Sequence, residues 1–203
     1  MARVAHIGVL ALQGDFREHI KMLRELGALA HPVRLPADVP GVDGVVIPGG
    51  ESTVMGKLMV EYQLDQPLRN AIAAGTPVWG TCAGLILLSR ETDNALAGQP
   101  LLAAMDIRTQ RNAFGPQRAS FEADLRVPAL GDSPFHAVFI RGPAVAAVSP
   151  GVEVLARLED ETIVAVRQGH LLGTAFHPEV TGDPRFHEYF LGMVREAYGA
   201  QSV

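Results

Sequence analysis

Three short apolar runs, each ending on glycine and leading into a segment of helical spacing, constrain this chain more than any other feature. Val4 to Leu10 ends at Gln13-Gly14, Gly44 to Ile47 at Pro48-Gly49-Gly50, and Pro77 to Gly80 at Thr81-Cys82-Ala83-Gly84. Runs this short and this uniformly apolar suit strands buried on both faces of a parallel sheet. Helices belong between them. Phe16, Ile20, Leu23 and Leu26 share one helical face and Gly27 stops it. A second helix begins near Ser52, a third covers Leu68 to Ala74, and a fourth runs through Leu88; Val33 to Leu35 reads as a further strand. The order βαβαβ implies a parallel sheet covered on both faces.

The second half changes character. Ala119 to Val127, Ala137 to Arg141, Val152 to Arg157, Thr162 to Arg167 and Leu171 to Phe176 read as short strands, with a hairpin turn at Gln168-Gly169-His170. The chain closes on a helix with Asp183 as N-cap and Pro184 at its first position, burying Phe186, Phe190, Met193 and Val194. With 203 residues and no repeat or linker, the expectation is one mixed α/β domain over 1–203.

Composition removes several classes of function. Hydrophobic residues make up 48% and charged residues 19%, against disorder. A net charge of -5 offers no basic footprint for nucleic acid or an anionic membrane. The single cysteine, Cys82, excludes an internal disulfide and a multi-cysteine zinc site. No apolar run reaches the roughly 18 residues of a membrane span. His6 and Gly8 break the apolar start, and no small-residue cleavage pattern follows, so a cytoplasmic location is expected.

Gly80-Thr81-Cys82-Ala83-Gly84 has the form G-x-C-x-G between strand and helix, a nucleophile elbow carrying sulfur. The helix N-terminus there favours a thiolate, and the N–H of Ala83 would face an oxyanion. A lone cysteine is more often a small buried hydrophobe; the elbow glycines and the strand-to-helix context favour the nucleophile. Its base would be His177, with Glu179 fixing the imidazole. Pro178 biases His177 toward extended backbone, where residues i and i+2 face one side about 6.6 Å apart. A further strand end, Pro48-Gly49-Gly50-Glu51-Ser52, presents backbone N–H groups to a ligand, or is a plain turn with Ser52 as helix cap. Arg111-Asn112-Ala113-Phe114-Gly115 and Ile140-Arg141 carry arginines suited to a carboxylate, a property shared by any surface arginine.

The elbow at Cys82 with His177 and Glu179 resembles the class I, triad-type glutamine amidotransferases. Leu12-Gln13-Gly14, Arg17-Glu18-His19, Pro48-Gly49-Gly50-Glu51-Ser52-Thr53, Arg111-Asn112-Ala113-Phe114-Gly115 and Phe176-His177-Pro178-Glu179 narrow the likeness to the glutaminase subunits of pyridoxal 5′-phosphate synthase. The resemblance implies a flavodoxin-like, largely parallel sheet with an added antiparallel portion. It implies hydrolysis of L-glutamine to L-glutamate and ammonia, with no cofactor and no metal. The ammonia would pass to a synthase subunit that builds pyridoxal 5′-phosphate from ribose 5-phosphate and glyceraldehyde 3-phosphate, the family assembly being a dodecamer of heterodimers.

By that resemblance Cys82 is the nucleophile, His177 the base and Glu179 its orienter. Gly50, Glu51, Ser52, Arg111, Ile140 and Arg141 would contact glutamine. Gly49, Gly50 and Ala83 would form the oxyanion hole, the Gly49-Gly50 loop turning a carbonyl toward Cys82 until the synthase docks. Val54 stands where the family usually has threonine. The rivals are the glutaminase of another class I amidotransferase, such as that feeding imidazole glycerol phosphate synthase, and a cysteine hydrolase or peptidase of similar fold. The Arg111 to Gly115 segment argues against the first.

Overall fold

The computed structural model describes residues 3–115 and 119–201. The first half builds the parallel part of the sheet. Strands β1 (His6–Leu10), β2 (Leu29–Val33), β3 (Gly44–Ile47) and β4 (Val78–Thr81) alternate with helices α1 (Phe16–Glu25), α2 (Ser52–Glu61), α3 (Asp65–Ala73) and α4 (Ala83–Leu88). Every residue of β3 and β4 is buried, as continuous apolar runs between helical layers require. The second strand lies at Leu29–Val33 rather than at Val33 to Leu35, which the sequence suggested. Pro36 opens a short 3₁₀ turn there, and Leu29 to Val33 pair in register with His6 to Leu10.

The second half supplies β5 (Ser89–Asp93), β6 (Met105–Gln110), β7 (Ser120–Leu125), β8 (Phe135–Ile140), β9 (Ala144–Val148), β10 (Glu153–Arg157), β11 (Ile163–Gln168), β12 (Leu171–Thr174) and the final helix α5 (Arg185–Gln201). Among the described residues the main sheet runs β2-β1-β3-β4-β12-β11-β9-β6-β5, with β10 also on β11. Pairing is parallel from β2 through β12 and antiparallel from β12 through β6. β7 and β8 form a separate hairpin that alternates by the pleat: Phe135, Ala137 and Phe139 are buried while His136 is exposed. Asp183 caps α5 through the N–H of Arg185 at 3.0 Å, and Phe186, Phe190, Met193 and Val194 are all buried.

The order β2-β1-β3-β4 reverses direction between β1 and β3. In open α/β sheets, ligands bind beyond the carboxyl ends of strands at such a switch point. The loops leaving β1, β3, β4 and β12 all open onto that edge, and each carries a segment singled out in the sequence.

Candidate active site

β4 runs straight into α4 through Cys82. Its N–H donates to the Thr174 carbonyl at 2.8 Å, continuing the ladder to β12. The chain must then turn within one residue. Cys82 takes φ 48 and ψ -102, a region that costs an L-residue about 1–3 kcal/mol. Glycine on both sides makes the turn possible. A Cβ on Gly84 would collide with the Ile47 carbonyl oxygen, and one on Gly80 would sit 2.5 Å from the Gly84 carbonyl carbon.

His177 follows β12, its N–H held by the Val138 carbonyl at 2.8 Å. Its Nδ1 lies 2.7 Å from Glu179 Oε1. The pleat does not produce this pair. Pro178–Val180 is a single 3₁₀ turn, so the tight turn, not an extended strand, folds the carboxylate back under the ring. Pro178 fits because its fixed φ and missing N–H suit the first position of a helical turn. Asp15 Oδ2 stands 3.4 Å from the same Nδ1. Asp15 precedes α1 in the N-cap position but makes no capping bond, which leaves its carboxylate to face the site.

Burial works against the charge on His177, but hydrogen bonds to Cys82 and Glu179 outweigh it and raise its pKa to about 10. Burial would likewise raise Glu179, yet the charge of His19, with the hydrogen bond and charge of His177, carries it well below the usual carboxylate range. Burial raises Asp15, with the charge of His177 opposing. An imidazolium beside a sulfur and over a buried carboxylate is the arrangement in which a thiolate is the reactive species.

A cleft of about 720 Å³ opens over the sulfur, and Gly50, Glu51, Ser52, Cys82, Ala83, Arg111, Ile140, Arg141 and His177 all line it. Gly49 and Glu179 support it from behind. Gly49 packs on the His177 ring so closely that a Cβ would overlap Cε1. Its carbonyl accepts the Asp15 N–H at 3.2 Å. The Ile140 carbonyl oxygen lies 4.0 Å from the Cys82 sulfur. Arg111 reaches Glu51 Oε1 and Gln99 Oε1, each at 3.0 Å. Glu51, not Ser52, caps α2, accepting the N–H groups of Thr53 at 3.1 Å and Val54 at 2.8 Å.

Sequence reasoning left out Gln13, Asp15, His19 and Gln99 as individual participants. Gln13 Oε1 accepts the Glu51 N–H at 2.7 Å and so ties the loop after β1 to the loop after β3. Gln99 donates to Ser52 Oγ at 3.1 Å while accepting from Arg111. Asp15, His177 and Glu179 bring one donor atom each within 4.8 Å of one another. The Nδ1 atom is already engaged by Glu179, so the group is the supporting part of a hydrogen-bonded triad rather than a cation cage.

A model of the SNO glutamine amidotransferase family matches residues 9–196. The chain is 59% identical over 191 residues to the pyridoxal 5′-phosphate synthase subunit PdxT of Clavibacter michiganensis, covering 94% of this chain and 91% of that protein. It is 56% identical over 188 residues to the protein of the same name from Herpetosiphon aurantiacus, covering 92% and 99%. A crystal structure of a glutamine amidotransferase superposes with a TM-score of 0.87 at 47% identity, covering 93% of this chain and 98% of the other. PurLQS of Thermotoga maritima, at 14% identity and a TM-score of 0.70, shares the fold. From its sheet order to its cleft, the chain belongs to the SNO glutamine amidotransferase family.

Proposed function

We propose that this chain is a glutaminase that hydrolyses L-glutamine to L-glutamate and ammonia and delivers the ammonia to a synthase partner making pyridoxal 5′-phosphate. The observation that carries this reading is the Cys82–His177–Glu179 line opening into one cleft with Arg111 and Glu51. The Cys82 sulfur attacks the side-chain carboxamide carbon. The carbonyl electron pair moves to oxygen and is met by the Ala83 N–H and an N–H of the Gly49-Gly50 loop, each donor contributing roughly 2.7–4 kcal/mol. His177 gives its proton to the departing nitrogen, releasing ammonia and leaving a thioester. It then takes a proton from water, whose oxygen attacks the thioester and frees glutamate and the sulfur. Arg111 takes the substrate's α-carboxylate as a fork, and Glu51 its α-ammonium. The Arg111–Glu51 ion pair at 3.0 Å supports this role, because each side chain presents the charge that an amino acid backbone would exchange for.

Relatives above half identity are named subunits of pyridoxal 5′-phosphate synthase, which supports a synthase as the ammonia acceptor; a dodecameric assembly of the pairs and a cytoplasmic setting are part of the same proposal and rest on the family resemblance alone. The test is ammonia release from glutamine by the chain with and without the synthase, followed through to pyridoxal 5′-phosphate. Release that rises with synthase and appears in product is the expected result. Cleavage of peptides with no turnover of free glutamine would replace this reading with that of a peptidase.

A further inference from the structure

Behind the triad lies a second pair of histidines that the reaction as derived above does not use. His19 of α1 and His187 of α5 are both fully buried. His19 Nε2 stands 3.3 Å from Glu179 Oε2, the oxygen that His177 leaves free, and 3.3 Å from Thr81 Oγ1. On its other side, His19 Nδ1 is 2.9 Å from His187 Nε2. Both rings pack nearly perpendicular to Trp79, at 82° and 77°. The four side chains thus form one line, His177–Glu179–His19–His187, across α1, the turn after β12 and α5.

The hydrogens along this line are constrained. An ionised carboxylate only accepts, so the nitrogen facing Glu179 Oε2 must carry hydrogen. Burial, helped by the charge of His19, pushes His187 down to about 3, so it is neutral at any ordinary pH. A neutral His19 that accepts from His187 Nε2–H at Nδ1 presents Nε2–H to Glu179, and a charged His19 presents the same Nε2–H while donating from Nδ1 to His187 Nε2. Two buried acceptors on this line have no hydrogen-bond partner: His187 Nδ1, and Glu179 Oε2, whose 3.3 Å contact with His19 Nε2 is an ion pair without hydrogen-bond alignment. The other tautomer of His187 would leave a buried N–H unpaired at Nδ1 instead. A buried polar group survives unpaired only when something offsets it.

We propose that His19 is a positioning residue of the glutaminase reaction, holding Glu179 so that its other oxygen stays under His177, and that His187 holds the His19 ring in place for that contact. The inference rests on the glutaminase reading given above. The titratable groups facing Glu179 are His177 on its own turn, His19 on α1, Asp15 before α1, and His187 through His19 from α5. Without His19 the carboxylate keeps one strong donor in a buried site and protonates more readily. Activity is then lost at a higher pH on the acid side, while glutamine binding is untouched.

The test compares His19→Gln with His19→Asn in the chain assembled with its synthase. A glutamine amide can place an N–H near the Nε2 position, and an asparagine amide reaches only the Nδ1 side. His19→Asn is expected to lower kcat about tenfold and move the acid limb of the pH profile up by about one unit, with KM within about twofold of wild type. His19→Gln should recover most of the loss. A folded His19→Asn with wild-type kcat and acid limb overturns the proposal. So do equal losses in both variants with an unmoved limb, which would mark His19 as packing alone. Should His19→Asn fail to fold, His187→Leu decides: an upward shift of the limb supports the relay and an unmoved limb refutes it. Alkylation of Cys82 by iodoacetamide across pH gives a readout that needs no turnover. If wild type releases no ammonia from glutamine, the reaction reading fails alone, and a higher alkylation midpoint in His19→Asn still upholds the relay.

Discussion

Replacing Gly49 by alanine adds one methyl group at the most crowded point of the site. Gly49 does not have a positive φ, so alanine meets no backbone penalty and the effect isolates the contact. The new Cβ would overlap His177 Cε1 and lie 2.9 Å from Nδ1 and 3.2 Å from Nε2. Carbon atoms rest about 3.5–4.0 Å apart, so the ring or the loop must yield by about 1 Å. The ring has nowhere to go: His177 is 3% exposed and pinned to Glu179 at 2.7 Å. The loop is pinned as well, by the Gly49 carbonyl on the Asp15 N–H and by Glu51 N–H on Gln13. Overpacking of this kind costs about 1–3 kcal/mol, and a base displaced by about 1 Å loses about 100-fold in rate. At roughly 2–4 °C per kcal/mol for a domain of this size, the melting temperature should fall by several degrees. Steady-state ammonia release in the synthase complex and thermal unfolding of the same sample measure both. Loss of rate with an unchanged melting temperature would point to the oxyanion loop instead of the ring. A variant within twofold of wild type in both would refute the steric argument.

Cys82→Ala should abolish hydrolysis and leave the fold intact, since both residues tolerate φ 48 equally poorly and little volume is lost; residual ammonia release from the purified variant would remove the sulfur from the mechanism. Glu179→Gln should slow turnover less than His177→Asn, because Glu179 supports the imidazole while His177 moves the proton; equal activity of Glu179→Gln and wild type across pH would break the triad. His177 is raised from 6.5 to about 10, so its protonation stabilises the fold fully below about pH 6.5 and that contribution fades as pH rises through about 10. The difference in unfolding free energy between wild type and His177→Asn should therefore shrink from pH 6.5 to 10, and a difference that grew would reverse the sign of this reasoning. Arg111→Lys should raise KM for glutamine, because lysine cannot keep Gln99 while forking a carboxylate; an unchanged KM would leave Arg111 as a loop tie.

The sequence alone determined the features that depend on neighbours along the chain. Glycines at 80 and 84 around Cys82 specify a sharp strand-to-helix turn wherever that turn sits in the molecule, and the turn is there. Wholly apolar runs specify strands buried on both faces, and Asp183-Pro184 specifies the start of the last helix. Partners two residues apart, His177 and Glu179, were legible too, although the 3₁₀ turn that joins them was not. Strands β5 and β9 were missed because their residues alternate weakly and take their conformation from sheet neighbours, whereas β6 was missed although Met105, Ile107 and Thr109 alternate with Asp106, Arg108 and Gln110.

The tertiary structure decided the rest. His19 looks like one polar residue on an amphipathic helix; its meaning comes from His187, 168 positions away, and from Glu179. Asp15 looks like a helix cap until the fold sets it against His177, and Gln13 and Gln99 gain their roles from loops 38 and 47 residues distant. Local pattern fixes backbone conformation because sterics act over a few bonds. Which side chains share a buried space is set by how the sheet stacks its loops, and no short-range signal carries that information.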